Sequence, residues 1–294
     1  MDASAVAQSL LLSLMVAALY SSVGVGLSLV WGVTRIVNFA HGEFVMLGGY
    51  ITLFLYLGYG LSPLLGMVVA AVAMGLLGSI VYRTFLTRVL KVPGHNQLLA
   101  TMGLSIILQS LAVIWWTPEA RAMHVPDIFP SIRLGSVVLP GNNLLVGIVG
   151  ISLYLLLVLL MKKTTYGLQM RLASDDQELA VYTGVNVDRM FELSFVIGCS
   201  LAGAAGALVA LVLYVHPLVG FELAIKGFAM VALGGLGSIP GAFAGAVILA
   251  LSEGATATFV SQGASWGYGV SFLLLALVLI IRPSGLFGKG AVES

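Results

Sequence analysis

Long apolar runs separated by short polar stretches constrain the fold of this chain more than any other feature. A helix needs about 20 apolar residues to cross a bilayer, and the 294 residues contain nine candidate segments. Only 9% of the residues are charged and 60% are hydrophobic, whereas a soluble domain is about a quarter charged. The sequence therefore predicts one all-α polytopic membrane domain over residues 1–294. The candidate spans are 8–32, 43–58, 63–83, 97–116, 143–161, 191–215, 223–237, 240–259 and 264–282.

The seventh segment is the least certain span. Residues 223–237 number only 15 and include Lys226, so this segment is either a full crossing, a re-entrant segment or half of a broken helix. Eight full spans with one partial segment fit the sequence as well as nine. We expect about eight or nine transmembrane helices, some of them broken or re-entrant.

The distribution of Lys and Arg predicts the orientation. If nine segments cross, 10 of the 13 basic residues follow spans one, three, five and nine, on one side of the membrane. Cytoplasmic loops carry the excess of basic residues, so we expect an outside N-terminus and a cytoplasmic C-terminus in a bacterial inner membrane. No basic residue precedes Arg35, unlike in a signal peptide, so we expect the first span to be retained.

Composition argues against several classes of function. A net charge of +1 gives no sign of nucleic-acid binding. The single Cys199 allows neither a disulfide framework nor a cysteine metal site, and we expect no metal site or bound cofactor. The sequence has no GxxxxGK[ST] phosphate loop, so ATP-driven transport would need a partner that hydrolyses ATP.

The most unusual polar stretch, residues 35–44, lies between the first two spans. Ionisable groups at membrane depth are costly and often mark a transport pathway or gate. Asn38, His41 and Glu43 are therefore our candidates for the path or gate. Two simpler interpretations remain open, because a polar loop could only join two helices, or its side chains could fix the corner between them. The predicted topology places these residues near the inner surface.

A second break is predicted at residues 233–242. Four Gly and one Pro within ten residues should interrupt a helix, and unwound backbone at membrane depth is tolerated where it lines a cavity. The breaks at 32–44 and 233–242 lie towards the two ends of the chain, and paired interruptions point to a central transport site. The residues expected to break the helix are Gly234, Gly235, Gly237, Pro240 and Gly241.

Two loops have distinct compositions. Four prolines in residues 117–142 exclude a long helix, which predicts a compact cap on the outer side. In the inner loop, residues 162–190, Ser174 and Gln177 have the spacing of a capping box. With Gly184 as a C-terminal stop, this predicts a short helix over roughly 175–182. Such a helix is either a solvated connector or an element that fits a partner's groove.

Several motifs together resemble the LivH-type permeases of branched-chain amino-acid importers, which belong to the ATP-binding-cassette class. Glu178-x-Ala180-x-x-x-Gly184 is similar to the coupling-loop signature of such permeases. Leu172 departs from the usual pattern, which has Ala after the loop Arg. The other matching stretches are GVTRIVNFAHGEF from Gly32, TMGLSIIL from Thr101, GVNVDR from Gly184, LGGLGSIPGA from Leu233 and RPSGLFG from Arg282.

The resemblance implies a division of labour among subunits. This chain would be a transport subunit and not an enzyme. It would pair with a second, LivM-type permease, while two cytoplasmic ATPase subunits bind ATP and Mg and an external substrate-binding protein delivers the ligand to the lipid-embedded core. The residues implied in coupling to the ATPases are Arg171, Glu178, Ala180 and Gly184.

Other functions remain open from the sequence alone. Related permeases serve urea, amides or aromatic acids. An ion-coupled secondary transporter would use intramembrane acids, but Glu192, Glu222 and Glu253 fall near the ends of the predicted spans. A membrane enzyme built on His41 and Glu43 would lack the further ligands that a metal site needs.

Overall fold

The computed structural model describes residues 3–260, 263–282 and 284–287, and most of the chain there is helical. Two short antiparallel strand pairs, β1–β4 and β2–β3, interrupt the helices. The helices are α1 (Ala3–Thr34), α2 (His41–Tyr59), α3 (Pro63–Val81), α4 (Thr87–Val89), α5 (Gly94–Trp116), α6 (Gly141–Lys163), α7 (Thr165–Asp175), α8 (Gln177–Tyr182), α9 (Val187–Val212), α10 (Val219–Gly234), α11 (Ile239–Phe259) and α12 (Gly267–Ile281). The strands are β1 (Arg121–Ala122), β2 (Ile132–Leu134), β3 (Val137–Leu139) and β4 (Tyr214–Val215).

The all-α polytopic class is confirmed. Within the described residues, seven helices are long and apolar enough to cross a membrane, and one of them runs from Pro63 to Val89 through the π-helical turn Tyr82–Leu86. The seventh and ninth predicted spans correspond to α10 and α12, of only 16 and 15 residues. Pro283 and Gly288 of the C-terminal motif, together with Lys289 and both termini, lie outside the described residues.

The helices define two ends of the bundle. At one end, β2 and β3 form a hairpin whose Val138 backbone pairs with the Gln8 side chain. Gln8 Nε2 donates to Val138 O at 2.6 Å, and Val138 N donates to Gln8 Oε1 at 2.7 Å. We call this the hairpin end. At the opposite end, which we call the α8 end, Ser174 Oγ of α7 donates to Gly32 O near the end of α1 at 2.6 Å.

The bundle contains two halves of opposite direction. α1 runs from the hairpin end to the α8 end, and α9 runs the other way. α1 packs on α11, and its counterpart α9 packs on α3. Likewise α10 packs on α11, and its counterpart α2 packs on α3. Each of α1 and α9 leads into a non-helical segment, 35–40 or 213–218, before the next helix begins. Such inverted repeats are common in transporters and place their broken helices near the bilayer midplane.

This arrangement corrects the pairing of the two breaks. The counterpart of 35–40 is 213–218, which the sequence analysis assigned partly to a span, and not 233–242. The break at 235–238 is a tight loop at the α8 end. There, a Cβ on Gly32 would lie 3.1 Å from Gly237 O.

Small residues hold α2, α3 and α9 together at close range. A Cβ on Gly48 of α2 would lie 2.5 Å from Gly203 O of α9, and a Cβ on Gly203 would lie 2.5 Å from Ala70 O of α3. Gly206 of α9 would overlap Val45 O of α2 if it carried a side chain. Close approach of this kind is what holds helices together in lipid, where burial of apolar surface gives little driving force.

Apolar side chains also cover much of the outside of the bundle. In the most apolar 18-residue stretch of α5 only 17% is buried, against 78% in the corresponding stretch of α9. α9 is therefore the central helix, and α5 lies at the periphery. The exposed aliphatic side chains of α3, α5 and α6 include Val72, Leu76, Ile106, Ile107, Ile114, Ile148 and Leu156.

Candidate transport site and coupling helix

The first polar segment folds back into the middle of the bundle. After α1 ends at Thr34, Arg35 adopts a left-handed φ of 59°, and the chain returns alongside α1. His41 Nε2 donates to Val23 O at 3.2 Å, and Val23 lies about 16 Å along α1 from Thr34 at 1.5 Å per residue. The expectation that these residues sit near the inner surface is therefore wrong, because 35–40 is a re-entrant segment and not a surface loop.

Asn38, His41 and Glu43 each make one hydrogen bond and keep one polar atom without a partner in the described part of the chain. Asn38 Oδ1 accepts from Ala40 N at 3.1 Å, and Glu43 Oε1 accepts from Ser105 Oγ at 2.9 Å. The atoms without partners are Asn38 Nδ2, His41 Nδ1 and Glu43 Oε2, although all three residues are at most 1% exposed. Buried polar atoms are normally paired, so these groups are suited to bind a polar ligand. Their existing bonds also have a structural part, since His41 joins α2 to α1 and Glu43 joins α2 to α5.

Two helices begin at this point. Glu43 lies in the first turn of α2 and Gly220 in the first turn of α10. The helices approach so closely that a Cβ on Gly42 would overlap Gly220 O, and one on Gly220 would overlap the Glu43 carboxyl. A helix N-terminus carries partial positive charge and free N–H groups, so the meeting of two of them favours a carboxylate. The sequence analysis missed Gly220, because nothing in its local sequence marks it.

A second polar cluster lies at the middle of α1 and was also missed. Lys226 Nζ of α10 lies 2.9 Å from both carboxylate oxygens of Glu253 in α11. Tyr20 of α1 and Ser271 of α12 donate to the same carboxylate at 2.8 and 2.9 Å. Placing Glu253 near a span end was therefore wrong, since Tyr20 lies about 21 Å along α1 from Thr34.

The predicted glycine-rich break is present, with its residues in different roles. Gly234 ends α10, and Gly235 and Gly237 have positive φ of 103° and 80° in the loop. Pro240 lies in the first turn of α11, so it begins that helix instead of breaking it. Gly241 belongs to α11 and packs against Gly234, where neither has room for a side chain.

The short helix in the loop between α6 and α9 is present as α8, but its predicted cap was wrong. Ser174 lies inside α7, and Asp176 caps α8 by accepting from Leu179 N at 2.9 Å. The predicted stop at Gly184 is confirmed. Gly184 N donates to Val181 O at 3.0 Å and Val185 N donates to Ala180 O at 2.9 Å, with φ of 81° at Gly184, which is a Schellman motif.

This geometry gives separate roles to the residues implied in coupling. Ala180 is the fully buried residue of α8, and Gly184 closes the helix end. Glu178 lies in the first turn and accepts from Tyr182 Oη at 3.2 Å. Arg171 is exposed on α7, and the structure does not bring it to the other three through a hydrogen bond or ion pair among the described residues.

α7 connects α8 to the membrane helices. The Ser174–Gly32 hydrogen bond joins α7 to the end of α1, and Gly32 in turn touches Gly237 in the loop before α11. A contiguous series of contacts therefore leads from α8 to the break between α10 and α11. In the described residues, no cluster of three His, Cys, Asp or Glu side chains could hold a metal ion.

Known proteins are similar to this chain over nearly its whole length. A family profile described as "Branched-chain amino acid transport system / permease component" matches residues 9–279. The permease LivH of Salmonella typhimurium, named for high-affinity branched-chain amino-acid transport, is 31% identical over 93% of this chain and 92% of its own. BraD of Pseudomonas aeruginosa, named likewise, is 31% identical over 97% of each chain.

A more distant relative extends the same pattern. A probable branched-chain amino-acid transport permease of Methanocaldococcus jannaschii is 29% identical over 90% of this chain and 86% of its own. No solved structure matches significantly. A profile match that covers most of the chain, together with relatives above 30% identity, identifies the family, which is one of transport permeases and not of enzymes. The chain is a multi-pass membrane protein that belongs to the permease components of branched-chain amino-acid transport systems.

Proposed function

We propose that this chain is a permease subunit of an ATP-driven importer and that its substrates are branched-chain or related hydrophobic amino acids. The observation that carries the proposal is the buried polar site where α2 and α10 begin, within a chain of this permease family. Two cytoplasmic ATPase subunits, a second LivM-type permease and an external binding protein complete the importer. The membrane is the bacterial inner membrane, with the hairpin end outside and the α8 end in the cytoplasm.

The chemistry of the polar site fits an amino-acid head group. Asn38 Nδ2 and the N-termini of α2 and α10 favour a carboxylate, while Glu43 Oε2 favours an ammonium group. Aromatic side chains nearby suit an apolar substrate side chain, since the Phe39 and Phe228 ring centroids lie 4.6 Å apart. Transport residues placed at broken helix ends are a recurring arrangement in carriers.

The surface of α8 fits the groove of a partner. Leu179, Val181 and Tyr182 are 49%, 61% and 77% exposed on a six-residue helix beyond the spans. Apolar side chains exposed to water are typical of docking surfaces. Movement of the ATPases would then push α8, and the contact of Ser174 with Gly32 would pass the displacement to the α10–α11 loop. The nucleotide thereby biases a two-state equilibrium of the membrane helices.

Purification of the tagged chain from mild detergent tests the assembly. We expect two ATPases and a second permease to co-purify, and uptake of leucine, isoleucine or valine to require ATP. Recovery of the chain alone, active in liposomes without ATP, would reject the importer and favour an ion-coupled carrier that uses Glu43 or Glu253. Uptake of urea or amides instead would keep the importer and reject the substrate.

Glu43→Gln tests the transport site. Glutamine still accepts the Ser105 hydrogen bond and preserves the packing, so a side chain that only braces the corner would tolerate the change. We expect uptake to fall about tenfold or more at normal membrane levels, because a hydrogen bond to a charged group contributes about 1.5–3 kcal/mol. Glu119→Gln, the same substitution in the exposed segment before β1, should leave uptake unchanged. Normal uptake by Glu43→Gln would remove this residue from the path.

A further inference from the structure

A cavity at the α8 end lies outside the transport site and the coupling helix. Its volume is about 670 Å³, which is typical of a small-molecule site. The polar part of its wall comes from Arg83 on the π-helical turn, Tyr166 on α7, and Arg189 and Glu192 in the first turns of α9. π-helical turns are rare and often occur at functional sites. The cavity therefore lies where three membrane helices reach the membrane surface.

The charges around this cavity sum to a net positive value. Arg83 Nε donates to Glu192 Oε1 at 2.6 Å, and Ser79 Oγ donates to the same oxygen at 2.7 Å. The Glu192 carboxylate therefore balances one guanidinium. Arg189 forms no ion pair with any residue that the structure describes, although its charge also acts on the Glu192 carboxylate. Two guanidinium groups and one carboxylate leave one positive charge in the cavity wall for an anion.

The remainder of the wall is apolar. Leu160 lies in the last turns of α6, and Leu193, Val196 and Ile197 follow one another along α9 towards the bilayer interior. An apolar wall gives a soluble anion no favourable contact, whereas an acyl chain packs well against it. A basic pocket between membrane helices at the bilayer surface is the arrangement that binds anionic lipid head groups.

We propose that this cavity binds one anionic phospholipid. The phosphate of the head group pairs with Arg189 and with the outer guanidinium nitrogens of Arg83, and the first part of one acyl chain lies against Leu160, Leu193 and Ile197. The lipid would touch Tyr166 on α7, which leads directly into α8. Bound lipid would thus hold α7 against α9, next to the element that contacts the ATPases.

Native mass spectrometry of the full-length chain in neutral detergent tests this proposal. The chain is titrated with dioleoyl phosphatidylglycerol, with dioleoyl phosphatidylcholine, and with glycerol phosphate, which carries the phosphate without acyl chains. We expect one saturable binding site for phosphatidylglycerol and much weaker binding of phosphatidylcholine and glycerol phosphate. Arg189→Gln removes an exposed charge and should weaken phosphatidylglycerol binding about fivefold. Leu193→Trp fills the apolar part of the cavity without altering the charge and should abolish saturable phosphatidylglycerol binding.

Lys163→Gln is the matched control. It removes one positive charge from the same end of the molecule, at an exposed residue that does not line the cavity, and should leave binding unchanged. An equal loss in Lys163→Gln and Arg189→Gln would show general surface attraction and overturn the proposal. Equal binding of phosphatidylcholine, unchanged binding by Leu193→Trp, or glycerol phosphate binding as tight as that of the lipid would overturn it as well.

Discussion

Replacing Gly184 by valine is expected to uncouple ATP hydrolysis from transport while the partner subunits stay bound. A Cβ at Gly184 would meet no atom within 4 Å, so the strain comes from the left-handed backbone alone. That conformation costs a non-glycine residue about 1–2 kcal/mol. α8 has only six residues, and helices this short are marginal without tertiary support. A cost of about 1–2 kcal/mol would therefore lower the population of the closed helix end about 5- to 30-fold.

Gly60 provides the matched control at the hairpin end. Its φ is 65° and a Cβ there also meets no atom within 4 Å, so Gly60→Val introduces the same strain far from α8. Each variant is reconstituted with its partner subunits in liposomes, and branched-chain amino-acid uptake is measured alongside ATP hydrolysis. We expect uptake per ATP to fall at least fivefold for Gly184→Val. Gly60→Val and Gly184→Asn should remain near wild type, since asparagine tolerates the left-handed conformation.

Three results would refute this reasoning. Normal uptake per ATP in Gly184→Val would show that the Schellman motif is not needed for coupling. An equal loss in Gly184→Val and Gly60→Val would assign the effect to strain in general. Loss of the ATPases from purified Gly184→Val would show that this residue is needed for docking of the ATPases. The substitution would then have disturbed docking and not the transmission of movement.

Two further predictions concern stability. Lys226→Met should lower the free energy of unfolding in mixed micelles by about 3 kcal/mol. This is the lower end of the range for an unpaired buried charge, because Tyr20 and Ser271 still donate to Glu253. The double variant Lys226→Met/Glu253→Gln should recover most of the lost stability, and a double variant as unstable as the single one would contradict the prediction. In the loop before α6, hydrogen bonds from Ser131 and the Asn142 backbone lower the pKa of Asp127, so their contribution to stability is present above its ordinary pKa and is lost as the pH falls through the lowered value. Ser131→Ala should shift that loss to higher pH, measured by hydrogen exchange at the Asn142 amide, and an unchanged midpoint would count against it.

The sequence predicted most helices because their signal is local. Twenty or so apolar residues in a row suffice to mark a span, and every predicted segment overlaps an apolar helix of the structure. Gly184 was also predictable, since a left-handed stop depends on one residue type and its position. The N-cap was not, because Ser174 and Asp176 both suit that role, and only the packing of α7 against α1 decides between them.

The depth of the candidate site within the membrane could not be predicted from the sequence, because it depends on tertiary packing. Residues 35–40 combine Arg35 and Asn38 with four apolar residues, a composition that fits a helix connection at the surface or at depth. Only the return of the chain alongside α1 places His41 beside Val23. In the same way, Lys226 and Glu253 each resemble an ordinary charge near a helix end. Their pairing joins α10 to α11 and depends on how those helices cross, which periodicity does not encode.

The two polar clusters restrict how the helices can move, because both include α10. Gly220 at its first turn contacts α2, while Lys226 further along is paired with Glu253 of α11. Breaking that ion pair inside the membrane would leave a buried charge uncompensated, at a cost of about 3–5 kcal/mol. The contact between α2 and α10, in contrast, involves Gly42, Gly220, Ala224 and the Glu43 carboxyl, and no ion pair joins these two helices among the described residues. A transition that opens the proposed transport site at the lowest energy would therefore separate α10 from α2 and keep intact the Lys226–Glu253 pair that joins α10 to α11. Backbone bonds from Leu286 and Phe287 to the end of α10, both 2.9 Å, join the segment after α12 to that same unit.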